Sequence, residues 1–238
     1  MAADWDKIIE QLKVALVRPV HPRGVLWVGA ALILTIIGIF AAWHITGFLL
    51  GLTALFYVCF RDPARFPPQA EGIAVAPIDG VLTQIDRAPW PLEVGIDGEA
   101  ERLIINQRFY DVHVLRAPMA AALTFAQHIT GQWGSNVFEK SAPGNERSVM
   151  VMKSSDGCTI AMEVIGGALP ERMRLSARAG DVLTLAQPVA YSAFGGEVRL
   201  YISGGEIIAQ RGQRMIAGET PIAVLLHSVS SYTAESFT

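Results

Sequence analysis

The stretch 191–202 reads YSAFGGEVRLYI and joins a glycine turn to a β-type run. Apolar and polar residues alternate from Val198 to Ile202, which is the period-two pattern of a strand. The adjacent glycines Gly195 and Gly196 are typical of a tight hairpin or a bulge. The stretch therefore predicts a strand that begins at a turn, and the rest of the chain repeats that pattern.

Short β-type runs recur from residue 61 onward, with turn residues about every ten positions. Turn signals such as Ile78-Asp79-Gly80 and Asp156-Gly157 lie between them. The other runs are 73–76, 103–105, 149–152, 159–165 and 222–226. Long helical periodicity is absent. We therefore expect residues 61–226 to form a mainly β, compact domain like a barrel or a sandwich, followed by a polar tail at 227–238.

The segment Val25–Phe60 contains no Asp, Glu, Lys or Arg. One membrane-spanning helix needs about 20 residues, and two need about 40 and a turn. The segment therefore predicts either a membrane helical hairpin with its turn at Thr46-Gly47, or one span followed by an interfacial helix. Basic residues flank both ends of the segment, which favours the hairpin and places the main domain on the cytoplasmic face of the inner membrane.

Residues 1–24 precede this hairpin, and within them 4–16 have the spacing of an amphipathic helix. Such a helix would lie at a membrane surface or pack on the main domain. His44 is the one histidine in the apolar segment, and we expect it at the turn near the far headgroups.

Composition excludes several classes of function. The net charge is -3, and no Lys/Arg cluster lies on a predicted helix, so nucleic acid is not an expected partner. The two cysteines, Cys59 and Cys158, are too few for a disulfide framework and have no CxxC partner. No motif for a metal or a nucleotide occurs in the chain.

Four motifs occur in a characteristic order. They are Phe60-Arg61-Asp62-Pro63-Ala64-Arg65, Ala76-Pro77-Ile78-Asp79-Gly80, Tyr110-Asp111-Val112-His113-Val114-Leu115-Arg116-Ala117-Pro118 and Ile216-Ala217-Gly218-Glu219-Thr220-Pro221-Ile222-Ala223. Asn145-Glu146-Arg147 lies between the third and the fourth. The set closely resembles the short bacterial and archaeal form of phosphatidylserine decarboxylase, from about His21 to about Leu225.

The resemblance implies a pyruvoyl enzyme of phospholipid biosynthesis. In that family a serine attacks the carbonyl of the preceding glycine, the chain is cut, and the new N-terminus becomes a pyruvoyl group. This cofactor serves as electron sink when phosphatidylserine loses CO2 to give phosphatidylethanolamine. An Asp and a His assist the serine in the manner of a triad. The implied partner is a membrane phospholipid, with no metal or nucleotide.

Three residues carry the implied site. Asp79 matches the aspartate of the family's Pro-Ala-Asp-Gly; by itself it would be a turn residue that bonds its own backbone. His113 matches the histidine of Asp-Val-His-Val, although a histidine in a β-type run is commonly a core residue. Arg116 would bind a phosphate or carboxylate of the substrate, or form a surface ion pair.

Phe194-Gly195-Gly196-Glu197-Val198 matches the family's Phe-Gly-Ser-Arg-Val, with Phe194 and Gly195 as the neighbours of the cleavage site. Gly196 stands at the serine position and has no Oγ, so no acyl shift can begin there. Ser192 and Ser203 are the nearby alternatives, but neither follows a glycine.

Three functions remain open at this point. The chain could be a working decarboxylase, or a catalytically inactive relative that binds aminophospholipid or regulates an active partner. It could also be a membrane-tethered β scaffold. A homo-oligomer or an active paralogue is a possible partner in each case.

Overall fold

The structure is a computed structural model that describes residues 20–40, 43–131, 146–165, 174–191 and 196–225. These residues divide into two compact units. The first, the hairpin unit, contains the N-terminal residues up to Ala64 together with Tyr110–His113. The second, the β unit, contains Arg65–Phe109 and the chain from Val114 onward. The predicted helix at 4–16 and the tail at 227–238 lie outside the described residues.

The hairpin unit contains two helices, α1 (Pro22–Ile39) and α2 (Trp43–Cys59). Helix α1 begins with a proline, which is favoured in the first helical turn because its fixed φ suits the helix. The predicted turn at Thr46-Gly47 is wrong, since both residues lie inside α2. A glycine inside a helix destabilises the helix by only about 1 kcal/mol relative to alanine. Packing of the apolar side chains along the segment can therefore outweigh the tendency of Gly47 to end the helix.

The two helices are antiparallel, as their contacts show. A Cβ added at Gly24 would lie 2.2 Å from Cβ of Phe60, so the chain passes very close to the end of α2 there. Further along, the hydroxyls of Thr35 in α1 and Thr53 in α2 lie 3.0 Å apart, within hydrogen-bond distance. Thr35 also lies 2.8 Å from the carbonyl oxygen of Ala31, one helical turn earlier. Small and hydroxylated residues therefore take part in the helix–helix contact, together with the rings of Trp27 and Phe56, whose centroids lie 6.4 Å apart.

Large apolar side chains cover the outside of the hairpin. The most exposed are Phe40 at 88%, Trp43 at 86%, Leu26 at 76% and Phe48 at 72%. Among the described residues, neither helix is long and apolar enough to cross a membrane.

The β unit consists of fourteen strands in the described residues and one 3-10 turn, Leu92–Val94. The strands are β1 (Ile73–Val75), β2 (Gly80–Pro89), β3 (Glu99–Asn106), β4 (Val114–Arg116), β5 (Ala121–Ile129), β6 (Arg147–Lys153), β7 (Thr159–Ile165), β8 (Arg174–Leu175), β9 (Val182–Leu183), β10 (Pro188–Tyr191), β11 (Glu197–Ser203), β12 (Gly205–Ile207), β13 (Arg214–Met215) and β14 (Pro221–Leu225). The predicted mainly β class is thus confirmed.

Eight strands form one antiparallel sheet in the order β13-β2-β3-β11-β7-β6-β5-β9. Two three-stranded sheets, β1-β14-β12 and β4-β10-β8, complete the unit. The large sheet is open within the described chain, since β13 and β9 are its edges. Strands β2 and β11 both pair antiparallel with β3, and they therefore run in the same direction.

The large sheet buries side chains on both faces. In β7, Ile160, Met162 and Val164 point into the main core, whereas Ala161 belongs to a second cluster with Trp90. This is why the strand reads as a nearly continuous apolar run instead of a strict alternation. Removing a buried side chain of this size would cost about 2–5 kcal/mol.

Candidate functional site

Asp79 lies in the β unit immediately before β2, with only 6% of its surface exposed. Its Oδ1 accepts hydrogen bonds from Nη2 of Arg65 at 2.8 Å and from the main-chain N–H of Ala217 at 2.8 Å. Its Oδ2 accepts from the same Nη2 at 2.9 Å. These partners are 14 and 138 residues away in sequence, so Asp79 does not simply bond its own turn. The carboxylate is a fixed, buried anion.

Gly196 and Asp79 lie at the same end of the large sheet, where strand β3 ends. Val81 and Glu197 both pair with Asn106 of β3, from opposite sides. Asp79 precedes Val81, and Gly196 precedes Glu197, at the starts of two strands that run in the same direction. Strands two apart in a sheet are separated by about 10 Å, so the two positions flank the end of β3 at roughly that distance.

A glycine at position 80 is required for this arrangement. A Cβ added at Gly80 would lie 2.6 Å from the carbonyl oxygen of Asn106 and 2.8 Å from Cγ2 of Ile105. Strands β2 and β3 therefore approach each other too closely at this point for any side chain. The glycine of the Ile78-Asp79-Gly80 motif thus allows the close packing of β2 on β3, which places Asp79 at the end of the sheet.

Arg116 lies at the end of β4 and is 8% exposed. Its Nη1 donates a hydrogen bond to the carbonyl oxygen of Ala186 at 3.1 Å. Ala186 has φ +61°, a left-handed conformation that alanine rarely adopts. Gly218, with φ +77°, leaves the space beside both residues: a Cβ there would lie 2.8 Å from Cβ of Ala186 and 3.2 Å from Cδ of Arg116. The alternative of a surface ion pair does not fit so buried a side chain.

His113 belongs to the hairpin unit and is almost fully buried. Its Nδ1 lies 2.7 Å from the carbonyl oxygen of Cys59. A carbonyl only accepts, so Nδ1 carries a proton and, in the neutral ring, Nε2 is the acceptor nitrogen. This tautomer suits a base that acts through Nε2. The acid–base role of His113 stays a prediction.

Arg65, Ala186 and the main-chain N–H of Ala217 were not predicted from the sequence to belong to the site. Arg65 was visible as the last residue of the Phe60–Arg65 motif, but its pairing with Asp79 depends on the fold. The strained conformation of Ala186 has no sequence signal at all. Phe194 and Gly195, the predicted neighbours of the cleavage site, lie outside the described residues, as does Ser192.

A second polar cluster joins β5 and β6. Nδ1 of His128 lies 2.9 Å from Oγ of Ser148, and its Nε2 lies 2.9 Å from Oε1 of Glu146. The order Glu–His–Ser is that of a nucleophilic triad, because the carboxylate holds the proton on Nε2 and leaves Nδ1 to accept from the hydroxyl. Ser148, however, is completely buried. We therefore assign it no chemistry with an external substrate.

The face of the large sheet opposite the main core carries a network of buried charged side chains, which begins at Glu197 next to Gly196. Nε of Arg199 donates to Glu197 at 2.7 Å, and the hydroxyl of Tyr201 donates to Glu163 at 3.2 Å. Burial, followed by the charge of Glu163, raises the pKa of Tyr201 above its ordinary value. Glu197, which departs from the family's arginine, is therefore paired within its own strand.

The described residues contain no cluster of three or more His, Cys, Asp or Glu side chains suited to a metal ion. The polar groups that surround Asp79 are instead guanidinium and main-chain N–H donors, which suit anionic groups. A family model described as phosphatidylserine decarboxylase matches residues 52–223. The chain belongs to the phosphatidylserine decarboxylase family.

Relatives named phosphatidylserine decarboxylase proenzyme match almost the whole chain. The protein of Ruegeria pomeroyi is 32% identical over 218 residues, which cover 90% of this chain and 99% of the relative. That of Saccharopolyspora erythraea is 34% identical, covering 88% and 89%, and that of Rhodococcus opacus is 35% identical over the same shares. The family resemblance seen in the motifs is confirmed.

Proposed function

We propose that this chain is a member of the phosphatidylserine decarboxylase family that binds an aminophospholipid without processing itself. The observation that carries this proposal is the pairing of Asp79 with Arg65 at the end of the large sheet where Gly196 immediately precedes β11. A buried carboxylate that is held by an arginine and a main-chain N–H supports the retention of a polar site there. The hydroxyl that the family's chemistry requires at position 196 is absent from the sequence.

The pyruvoyl group of the family does not fit this residue set. That group is made from a serine, whose Oγ attacks and whose β-carbon takes part in the elimination. Gly196 supplies neither atom. A weakened acid or base lowers a rate by powers of ten, whereas a missing nucleophile removes the pathway. Gly196 therefore provides no route to a pyruvoyl group.

Ser203 is a poor substitute for the absent serine. It lies at the far end of β11, where it pairs with Thr159, while Glu197 at the near end pairs with Ile165. At about 3.3 Å per residue, the seven residues from Gly196 to Ser203 span roughly 23 Å. A cut at Ser203 would thus occur at the opposite end of the sheet's strands from Asp79.

We further propose that the hairpin unit holds the protein at a membrane. Many of its large apolar side chains are exposed, among them Phe40 and Trp43, and exposed apolar surface of this kind is typical of a membrane or protein contact. Basic residues on both sides of the hairpin favour its approach from the cytoplasmic face of the inner membrane. The substrate class of the family, a phospholipid, is found at the same place.

Two measurements on the purified full-length chain test this function. Intact mass spectrometry should give one species near 25.7 kDa. Vesicle flotation should show stronger binding to phosphatidylserine/phosphatidylcholine vesicles than to phosphatidylcholine alone, and His113→Ala should reduce that preference. The matched control is His44→Ala, which should not.

The other two functions give different results. Two fragments, with a blocked N-terminus on the smaller one, would establish a working decarboxylase. A full-length chain with no preference for phosphatidylserine would favour the scaffold.

A further inference from the structure

Exposed apolar side chains occur at the end of the large sheet that carries Asp79. Phe66 is 80% exposed and Phe109 is 57% exposed, and Ile216 is also exposed. All three belong to the β unit. Single exposed apolar residues are common on soluble proteins, whereas a group of them at one place marks an interaction surface. The strand register decides whether these three share one place.

The strand pairings bring Ile216 and Phe109 to the same end of the sheet. Ile216 follows Met215, which pairs with Gly80 at the start of β2. Phe109 lies three residues beyond Asn106, where β3 ends beside the same start of β2. Strand β2 lies between β13 and β3, and adjacent strands are about 4.8 Å apart, so the ends of β13 and β3 are separated by roughly 10 Å.

Phe66 is held at this end by its neighbour and by its own main chain. Arg65 donates to both oxygens of Asp79, which immediately precedes β2. The main-chain N–H of Phe66 donates to Oε1 of Glu219 at 3.1 Å, in the segment that follows β13. Pro67 comes next and favours an extended backbone at Phe66. An aromatic ring therefore stands in solvent on a main chain that is fixed in place.

The exposed charges beside these side chains are mainly basic. Arg108 directly precedes Phe109, and Arg214 lies two residues before Ile216; both arginines are exposed. The acidic residue of the segments 65–68, 107–109 and 214–219 is Glu219, which is half-buried. The whole chain has a net charge of -3, so this basic character is local. Exposed arginines near a bilayer are attracted to anionic headgroups.

We propose that Phe66, Phe109 and Ile216 form a membrane-contact surface that enters the headgroup region of an anionic leaflet. This inference rests on the proposed function and adds the place from which the aminophospholipid reaches the site. A headgroup at this end of the sheet lies beside Asp79 while its acyl chains stay in the bilayer. The surface is distinct from the proposed attachment through the hairpin unit, because all three residues belong to the β unit.

Leu92 provides a matched control position. It is 95% exposed, belongs to the same unit and lies on the 3-10 turn between β2 and β3. That turn is at the opposite end of the strands from Asp79. The ten residues of β2 separate the two ends by roughly 33 Å, so a leaflet that receives one end does not receive the other.

Site-specific labelling of the full-length chain tests the surface. We would label Phe66→Cys, Phe109→Cys and Leu92→Cys with a polarity-sensitive maleimide fluorophore, since the native Cys59 and Cys158 are buried. The unsubstituted chain measures background labelling. On phosphatidylserine/phosphatidylcholine vesicles that contain a spin-labelled lipid, we expect a blue shift at positions 66 and 109. Quenching there should be at least threefold stronger than at position 92.

The outcomes separate this inference from the function beneath it. Equally weak quenching at all three positions, on vesicles that have bound the chain, would overturn the membrane contact and leave aminophospholipid binding standing. A protein partner at this surface would give that same result. Strong quenching at 66 and 109 in a chain without preference for phosphatidylserine would support the contact and overturn the proposed function.

A chain that floats with no vesicle would overturn both proposals. Phe66→Cys and Phe109→Cys report independently of each other. If one of them does not fold, as judged by circular dichroism, the other decides against Leu92→Cys.

Discussion

The main-chain N–H of Gln107 donates a hydrogen bond to the carbonyl oxygen of Gly196 at 3.0 Å. This bond extends the pairing of β3 and β11 beyond Asn106 and Glu197. Gly196 is therefore fixed by sheet hydrogen bonding on its C-terminal side. A side chain introduced at position 196 would therefore have a fixed Cα position, at the same end of the sheet as Asp79.

Gly196→Ser should restore cleavage, because it supplies the Oγ and the β-carbon at that fixed position. We expect fragments 1–195 and 196–238 on a denaturing gel, with a mass that shows a blocked N-terminus on the smaller one. Gly196→Ala is the matched control, since it adds the β-carbon without the hydroxyl and should remain whole. If Gly196→Ser also stays full-length, other positions that differ from the family pattern, such as Glu197, also prevent the reaction.

Asp79→Asn should strongly destabilise the β unit. The change leaves Arg65 buried without its counter-charge, and breaking a buried pair from one side costs about 3–5 kcal/mol. Urea denaturation measures the loss as a lower midpoint. Asp97→Asn, an exposed loop residue, is the control and should stay within about 0.5 kcal/mol of wild type. A similar small effect for Asp79→Asn would mean that the carboxylate does not hold Arg65.

The sequence predicted the strands well because their signal is local. The runs 103–105, 149–152, 159–165 and 198–202 all lie within strands, since alternating or continuous β-branched residues suit a pleated, buried surface. The two helices of the hairpin unit were also foreseen from the uncharged segment, whereas their association with a membrane stays a prediction. The turn between them was misplaced because a glycine inside an apolar helix is only weakly unfavourable, and packing decided the outcome.

The site was only half visible in the sequence. Asp79 and Arg116 could be selected from motifs, but their partners depend on contacts between distant segments. Arg65 is 14 residues and Ala217 is 138 residues from Asp79, and no local pattern encodes such a pairing. The fold imposes a left-handed conformation on Ala186. Alanine strongly disfavours that conformation, so the backbone preferences of the sequence would not have predicted it.

Asp86→Asn should lower stability near neutral pH but not in acid. Hydrogen bonds from Arg102, at 2.9 and 2.6 Å, hold the pKa of Asp86 below its ordinary value, against a smaller opposing effect of burial. Because the pKa of Asp86 is depressed in the folded state, the stability that its pairing contributes is fully present above the unfolded-state pKa of about 3.9. That stability is lost as the pH falls through the folded-state pKa.

Urea denaturation of wild type and Asp86→Asn at pH 7, 5, 4 and 3 measures this dependence. The pair is partly exposed and screened, so we expect a difference of about 0.5–1 kcal/mol at pH 7 and 5 that shrinks below pH 4. Glu206→Gln, a change at an exposed strand residue, should show no such trend. A difference that grows on acidification would contradict the assigned direction.

Gly80→Ala should destabilise the protein and displace Asp79 together with it. The new Cβ would lie 2.6 Å from the carbonyl oxygen of Asn106, which is tied into the sheet and cannot move alone. Gly80 has no positive φ, so the expected loss of about 1–3 kcal/mol comes from the clash and not from backbone strain. For a chain of this size that loss lowers Tm by roughly 2–4 °C per kcal/mol.

Gly205→Ala is the graded control, because it is a strand glycine of the same unit whose Cβ would have 3.1 Å to its nearest neighbour, the carbonyl oxygen of Val224. We expect a smaller drop in Tm there and an unchanged preference for phosphatidylserine vesicles. Gly80→Ala should weaken that preference as well, since Asp79 immediately precedes the displaced residue and holds Arg65. Equal effects of the two variants on Tm and on binding would show that the close approach of β2 to β3 does not position the site.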